Sequence, residues 1–184
     1  MKKKYELTEE TLAVDGHVLH RIKALRDFGN VKKGNIGGWI EGQENLSHDD
    51  DCWVYGNAEV YGDAKVLGNA EVHGNAIVLG NAEVYGNAIV LGDAKVLGDA
   101  EVYGNAEVHG NAEVEKKSDY IVFKNWWSSG RYFTWTRSND KWRVGCFYGT
   151  GEELIKKAYN DSEEKGREYE RVVKYVESIK SEIK

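Results

Sequence analysis

The chain has 184 residues, enough for one medium domain or two small ones. It combines 21 glycines with no proline, which disfavours a disordered Pro/Gly-rich chain. Its net charge of −6 disfavours a nucleic-acid binder that uses its whole surface. No apolar run approaches the ~20 residues of a membrane helix, and the start of the chain lacks the apolar core of a signal peptide. The two cysteines have neither metal-ligand nor disulfide-framework spacing, so we expect a cytoplasmic protein without metal or membrane contact.

The first 38 residues are predicted to form a β-hairpin cap. Residues 11–22 have the pattern of two strands around the turn Asp15-Gly16. Ile40 and Leu46, six positions apart, already belong to an imperfect coil. An open solenoid end exposes apolar interior and unpaired strand edges, so a capping segment is expected before the repeats.

Residues 39–115 are predicted to form a parallel β-helix. From residue 56 to 115 the pattern Gly-(Asn/Asp)-Ala-x-Val-y occurs ten times without an insertion. Ala and Val alternate with x and y, so they share the inner face of a strand, while Gly-Asn or Gly-Asp turns the chain at positive φ. Three strands and three corners make a triangular coil of 18 residues. Coils stacked about 4.8 Å apart satisfy one another's backbone.

The same spacing predicts which outward side chains stack. Lys65 should lie on Glu83 and Lys95 on Glu113, which are favourable pairs across adjacent strands. These pairs belong to the outward ladders Glu59–Ile77–Lys95–Glu113 and Lys65–Glu83–Glu101.

Residues 116–184 are predicted to form a small α+β domain of three antiparallel strands and two helices. The strands are expected at 120–125, 131–136 and 141–147, joined by turns rich in Ser, Asn and Gly. Thr150 and Glu153 have the spacing of a capping box that opens the first helix. The second helix starts near Ser162 and repeats apolar residues at helical spacing.

The repeat resembles that of hexapeptide-repeat proteins, which form left-handed parallel β-helices. The resemblance rests on Val at one position and Ala four later, as in residues 54–59, although the usual glycine is displaced by one. Spacing alone does not fix handedness, and a right-handed helix of the bactofilin kind stays open. The lead-in Gly37-Gly38-Trp39-Ile40 and Asn45-Leu46-Ser47 is similar to hexapeptide-repeat proteins of phages and prophages, often labelled transferases on fold alone.

This resemblance implies one alternative function, coenzyme A-dependent acyl transfer with a histidine as general base at a subunit boundary. His73 and His109 point outward on one face, two coils apart. A base needs a partner group and a positioned substrate, and the pattern indicates neither, nor a loop interrupting the coils. We therefore interpret both as exposed ladder residues and predict no enzyme, no catalytic residue and no cofactor.

The outward aliphatic and aromatic ladders predict self-association. Contiguous apolar patches beyond a few hundred Å² usually contact something. The resemblance implies a homotrimer, whereas the alternative is that the C-terminal helices cover one face. The candidate interface residues are Tyr61, Ile77, Leu79, Leu97, Ile89 and Leu91.

The C-terminal strands carry a candidate site for a nucleotide. Between residues 116 and 143 there are seven basic residues against two acidic ones, interleaved with aromatics. Arginines with exposed aromatic faces hold bases and phosphates, although the aromatics could instead be the core of a small domain. The candidate ligand-binding residues are Trp126, Trp127, Arg131, Tyr132, Trp135, Arg137, Trp142 and Arg143.

The function predicted from the sequence alone is a non-catalytic, self-associating scaffold that sequesters or inhibits a host protein or a small nucleotide in a phage-infected cell. Acyl transfer is the first alternative. A further alternative is DNA mimicry, because residues 56–115 hold ten acidic residues against two lysines.

Overall fold

The structure, a computed structural model, describes residues 3–125 and 128–183. These residues form two units, one ending at Lys117 and the other beginning at Ser118. The first unit is a parallel β-solenoid of about four coils preceded by a hairpin, and the second combines an antiparallel sheet with helices. The predicted mainly β fold class, a parallel β-helix with a small C-terminal α+β region, is confirmed.

The chain begins with a three-stranded antiparallel arrangement. Strand β1 (Tyr5–Val14) pairs with β2 (His17–Ala24), and β2 pairs with β3 (Ile36–Ile40). Asp15 and Gly16 form the predicted turn with φ of 49° and 88°, the left-handed values that a tight hairpin requires. Strand β3 then joins the solenoid, because Trp39 and Ile40 pair in parallel with Glu59 and Val60.

The solenoid consists of two-residue strands at the x and Val positions of each repeat. From Trp53 onward, parallel pairing joins residues 18 apart, as in Glu71 opposite Ile89, so every third strand shares a sheet. The strands are β4 (Trp53–Val54), β5 (Glu59–Val60), β6 (Lys65–Val66), β7 (Glu71–Val72), β8 (Ile77–Val78), β9 (Glu83–Val84), β10 (Ile89–Val90), β11 (Lys95–Val96), β12 (Glu101–Val102), β13 (Glu107–Val108) and β14 (Glu113–Val114). The strand orders are β3-β5-β8-β11-β14, β4-β7-β10-β13 and β6-β9-β12.

The interior of the prism is built from the Ala and Val of the repeat. From Val54 to Val114 these side chains are fully buried. The predicted outward ladders are confirmed, with Lys65 Nζ 3.9 Å from a Glu83 carboxylate oxygen and Lys95 Nζ 3.2 Å from Glu113. Such half-exposed pairs contribute little stability each, so the apolar interior holds the coils together.

The corner glycines from Gly56 to Gly92 have positive φ and stack on the glycine of the next coil. Gly92 has φ +83°, and a Cβ built on it would lie 2.9 Å from the carbonyl oxygen of Gly110. Gly104 has φ +69° but no atom within 4 Å of such a Cβ. A side chain at Gly92 is therefore excluded twice, by backbone conformation and by the neighbouring coil, whereas at Gly104 only the first restriction applies.

Side chains from the N-terminal region satisfy the backbone edge of the first coil. An Arg21 guanidinium nitrogen donates to the Gly56 carbonyl at 2.6 Å, and Asn45 Nδ2 donates to the carbonyls of Gly62 and Ala64, both at 2.9 Å. The Gly62 N–H donates to a Glu41 carboxylate oxygen at 2.8 Å. These bonds cap an edge that would otherwise expose unpaired donors and acceptors.

The hairpin also covers one outer side of the prism. Leu19, Trp39 and Tyr61 form a buried cluster, against which hairpin residues Leu12 and Val14 pack together with Ile77 and Leu79. His17 holds the tip of the hairpin in place, since its Nδ1 lies 2.9 Å from a Glu41 carboxylate oxygen and its ring lies 5.2 Å from that of Tyr61. We call this covered side, with outward residues Glu59, Tyr61, Ile77, Leu79, Lys95 and Leu97, the hairpin face.

The second unit is a four-stranded antiparallel sheet with two helices. The strands β15 (Tyr120–Lys124), β16 (Tyr132–Thr136), β17 (Lys141–Val144) and β18 (Phe147–Gly149) pair in sequence order. The predicted single strand 141–147 is wrong, because Gly145 at φ +57° and Cys146 form a two-residue turn that creates β18.

The helices begin where capping side chains lie. Helix α1 (Gly151–Asp161) opens on the predicted capping box, in which Thr150 and Glu153 satisfy each other's backbone N–H. Helix α2 (Glu163–Ile179) is capped by Ser162. Within the described residues, no helix has the length and apolar character needed to cross a lipid bilayer.

The corner geometry gives a first prediction. We expect Gly92→Ala to lower the midpoint of chemical unfolding more than Gly104→Ala. Both variants incur about 1–2 kcal/mol of left-handed strain, and only Gly92→Ala adds a clash of order 1–3 kcal/mol with the next coil. Urea titrations followed by far-ultraviolet circular dichroism compare the two, and equal shifts would contradict the stacking of glycines.

The hairpin tip gives a prediction on pH dependence. The hydrogen bond with His17 has the largest effect on the pKa of Glu41, and the hydrogen bond from the Gly62 N–H has the next largest. Both stabilise the carboxylate and lower that pKa. A lowered folded-state pKa means that the contribution to stability is present at neutral pH and is lost as the pH falls through that pKa. We expect the stability advantage of the wild type over Glu41→Gln, seen in urea titrations at pH 7, to shrink between about pH 5 and pH 3. Glu9→Gln, an exposed change on β1, is the control, and an advantage independent of pH would refute the assignment.

Candidate functional site

The outward side of the sheet β4-β7-β10-β13 places a histidine against a carboxylate. Glu71 and His73 lie on either side of Val72, and both point outward because alternate residues of a strand share a face. His73 Nε2 lies 2.8 Å from a Glu71 carboxylate oxygen. We call this side the histidine face; its outward residues are Tyr55, Glu71, His73, Ile89, Leu91, Glu107 and His109.

Tyr55 completes the arrangement from the neighbouring coil. Its ring stacks on the His73 ring with centroids 4.2 Å apart and planes 4° from parallel. Its hydroxyl lies 3.4 Å from the other Glu71 oxygen. Burial and the Glu71 charge raise the pKa of Tyr55 to about 12, so that the hydroxyl stays protonated and donates to Glu71.

The His73–Glu71 pair is accessible from solvent while its orientation is fixed. The exposed fractions of the two side chains are 33% and 28%. A carboxylate beside Nε2 favours the tautomer that carries its proton there, which leaves the Nδ1 lone pair as the proton acceptor. This is the arrangement of a general base and the group that orients it.

Glu71 is absent from the residues predicted from the sequence, although it is the partner of His73. The signal was present, because Glu precedes each of the two histidines by two positions, at Glu71 and Glu107. In an extended strand, residues two apart lie side by side on one face. His109 is half-buried two coils further along, and the half-buried Ile89 and Leu91 lie between the two histidine positions.

The structure changes the interpretation of the candidate nucleotide site. Trp135 and Trp142 are each only 2% exposed and belong to the core that α1 and α2 form with one face of the sheet. The Trp135 indole N–H donates to Asp140 at 2.8 Å. Phe133 and Trp135 form the side of β16 that faces the helices. Trp135 and Trp142 cannot stack on a base without unfolding the unit, so their assignment as ligand-binding residues is wrong.

The remaining members of that cluster lie apart from the core. Arg131 and Arg137 are exposed, and Arg137 lies 3.7 Å from an Asp119 carboxylate oxygen. The half-buried Tyr132 stacks under Lys124 Nζ at 3.9 Å, and Arg143 is half-buried on β17. Trp126 and Trp127 lie outside the described residues. An open cavity of about 420 Å³ is lined by Ser128, Ser129, Arg131, Ser162, Glu164 and Lys165.

The candidate interface residues also divide into two groups. Tyr61 is 4% exposed and is buried by its own hairpin, and Ile77 and Leu79 pack against the same cluster. For Tyr61 the assignment to an intermolecular surface is therefore wrong, since the hairpin tip already occupies its outer side. Ile89, Leu91 and Leu97 are half-buried.

Comparison with known proteins gives one informative likeness. No protein-family model matches the chain. The uncharacterized acetyltransferase YdcK of Escherichia coli (strain K12) is 38% identical over an alignment of 61 residues, and the match covers 29% of this chain and 19% of that protein. The matched part thus spans about a fifth of the relative's length. The predicted resemblance to hexapeptide-repeat proteins of the transferase-like kind is confirmed in this respect.

The prediction that the chain is not an enzyme is contradicted by this likeness, because the relative is named an acetyltransferase. The prediction rested on the apparent lack of a partner group for either histidine. Glu71 is such a group for His73, and a flat solenoid face can present it without an interrupting loop.

Proposed function

We propose that this protein is an acyltransferase that uses an acyl-coenzyme A donor, with His73 as the general base. The observation that carries the proposal is the 2.8 Å contact between His73 Nε2 and Glu71 on a solvent-accessible face. The likeness of the repeat to a protein named an acetyltransferase supports the same class of reaction.

The chemistry needs one proton acceptor near an incoming nucleophile. The free Nδ1 of His73 takes the proton from an acceptor hydroxyl or amine as that group attacks the thioester carbonyl. The coenzyme A thiol then leaves as the tetrahedral intermediate collapses, and the imidazolium supplies its proton. Glu71 stabilises the imidazolium through Nε2, and Tyr55 restrains both groups by stacking on the ring and by its bond to Glu71.

The function is tested by acetyl-coenzyme A binding and thiol release. The experiment uses a Cys146→Ser background, because Cys146 is an exposed free thiol that would react with the thiol reagent. We expect acetyl-coenzyme A to raise the melting temperature in proportion to the logarithm of its concentration. With a panel of small amines and alcohols as acceptors, we expect His73→Gln to lower the rate of thiol release about 10²–10⁴-fold, the usual contribution of a general base.

Two further variants define the site. Glu71→Gln should give a smaller loss than His73→Gln, since it leaves the imidazole in place without its ionic partner. His20→Gln changes a histidine of β2 whose Nδ1 bonds a backbone carbonyl, and should leave the rate unchanged. A His73→Gln variant with the wild-type rate would exclude His73 as the base, and the absence of thermal stabilisation and of thiol release would exclude the donor.

We further propose that copies of the protein associate through the histidine face. Ile89 and Leu91 are half-buried apolar residues that lie one coil beyond Glu71 and His73 on the same face. The hairpin face is already occupied by the chain's own hairpin. A second copy on the histidine face would supply the missing wall of a substrate site on an otherwise flat surface.

This association predicts a change in native mass. Leu91→Lys places a charge in the proposed interface, and we expect it to shift the assembly observed by native mass spectrometry toward the monomer. Asn87→Lys, a charge added at an exposed corner, is the matched control. If the wild type is itself a monomer at micromolar concentration, association through this face is refuted, whereas the donor-binding experiment is unaffected.

The other roles stay predictions. Nucleotide sequestration depends on the remaining exposed or half-buried residues Arg131, Tyr132, Arg137 and Arg143, now that two tryptophans belong to the core. DNA mimicry by the acidic solenoid, inhibition of a host protein and a phage setting likewise have no supporting contact in their favour among the described residues.

A further inference from the structure

A lysine and a cysteine are buried together where the hairpin meets the first coil. Lys4 Nζ lies 3.2 Å from Cys52 Sγ, and both residues are 0% exposed. The same nitrogen donates to the Cys52 carbonyl at 2.9 Å and to the Asp49 carbonyl at 3.2 Å. The amine and the thiol are thus held within hydrogen-bonding distance, and neither belongs to the proposed acyl-transfer site.

We propose that Lys4 and Cys52 are a modification site, at which hydrogen peroxide joins the two side chains through a sulfur–nitrogen bond. The first step converts the thiol to a sulfenic acid: the sulfur attacks one peroxide oxygen, the O–O bond breaks, and one water leaves. In the second step the Lys4 amine attacks the sulfur, the S–O bond breaks, and the hydroxyl leaves as a second water. The sum is amine plus thiol plus one peroxide giving the sulfenamide and two waters.

The surroundings of the sulfur favour this product. Besides Lys4, Sγ lies within hydrogen-bonding distance of the carbonyl oxygens of Ser47, Asp49 and Val66, at 3.6, 3.9 and 3.4 Å. Carbonyl oxygens of amides do not displace hydroxide from a sulfenic acid, whereas an amine does. Lys4 is therefore the nucleophile placed to trap the oxidised sulfur.

Burial acts in opposite directions on the two steps. It lowers the pKa of Lys4, which increases the fraction of the amine that is neutral and nucleophilic. It raises the pKa of the Cys52 thiol, an effect that the nearby Lys4 charge opposes. The raised pKa of the thiol disfavours the first oxidation, whereas the lowered pKa of the amine favours the trapping step.

The bond would connect two parts of the chain that noncovalent contacts now hold together. Lys4 directly precedes β1, and Cys52 directly precedes β4 in the first full coil. The crosslink closes a loop across the whole hairpin and limits the unfolded ensemble, so it should raise the melting temperature.

The test uses the full chain with Cys146→Ser, exposed to hydrogen peroxide at pH 8 and then denatured for mass spectrometry. We expect the intact mass to fall by two hydrogens. Trypsin should fail to cut after Lys4, so that residues 4–21 are recovered joined to the peptide 34–65, and dithiothreitol should release them. Lys4→Arg keeps a buried cation without a nucleophilic amine and should abolish the joined peptide; circular dichroism checks that it folds.

Two results would overturn the proposal. One is a peptide 34–65 that gains oxygen at Cys52 while residues 5–21 are released as in the untreated protein. The other is an unchanged peptide 34–65 under conditions that fully oxidise Cys146 in the wild type. Either result comes from a chain with the native Lys4 and Cys52, so it does not depend on the folding of a variant.

Discussion

The first unit depends on one constraint: the backbone of each coil must follow the path of the coil below it. Hydrogen bonds such as Tyr55 N–H to the Val72 carbonyl at 2.7 Å and Asn57 N–H to the Gly74 carbonyl at 3.0 Å continue from strand into corner without a break. Where the glycines of successive coils stack most closely, as at Gly74 and Gly92, a Cβ would lie 2.9 Å from the carbonyl oxygen of the next glycine. The strict six-residue period, the absence of insertions and the small Ala beside each corner all follow from this requirement.

That constraint explains how much of the fold could be predicted from the sequence. The period defines the coil, the coil defines the partner 18 residues away, and the pairs Lys65–Glu83 and Lys95–Glu113 follow. The second unit has no period. A strand such as β16 has aromatic residues on both sides and does not indicate which side the helices will cover. The burial of Trp135 is therefore known only from the structure. Likewise the turn at Gly145 and Cys146 is hidden within an apolar run that fits one strand equally well.

The candidate site is difficult to predict from the repeat for a different reason. The repeat relates His73 to the residues 18 positions away, whereas its partner Glu71 lies two residues away along the same strand. In a solenoid each outward residue has neighbours both along the chain and across the coils. Tyr55 stacks on His73 across the coils, whereas Glu71 bonds to His73 along the chain. The hairpin adds a further difference between faces that an ideal repeat would make equivalent, because it covers Tyr61 and leaves Leu91 uncovered.

The capping of the first coil has a consequence for biosynthesis. The side chains that satisfy its edge come from Arg21, Glu41 and Asn45, all of which precede the coil in the chain. The cap therefore leaves the ribosome before the segment it protects. Each later coil can add to an edge that is already complete, with contacts only to its predecessor. If the prism grows in the direction of translation, its unpaired edge is always the coil that has just been synthesised. This limits the time in which an unpaired edge could join a second chain.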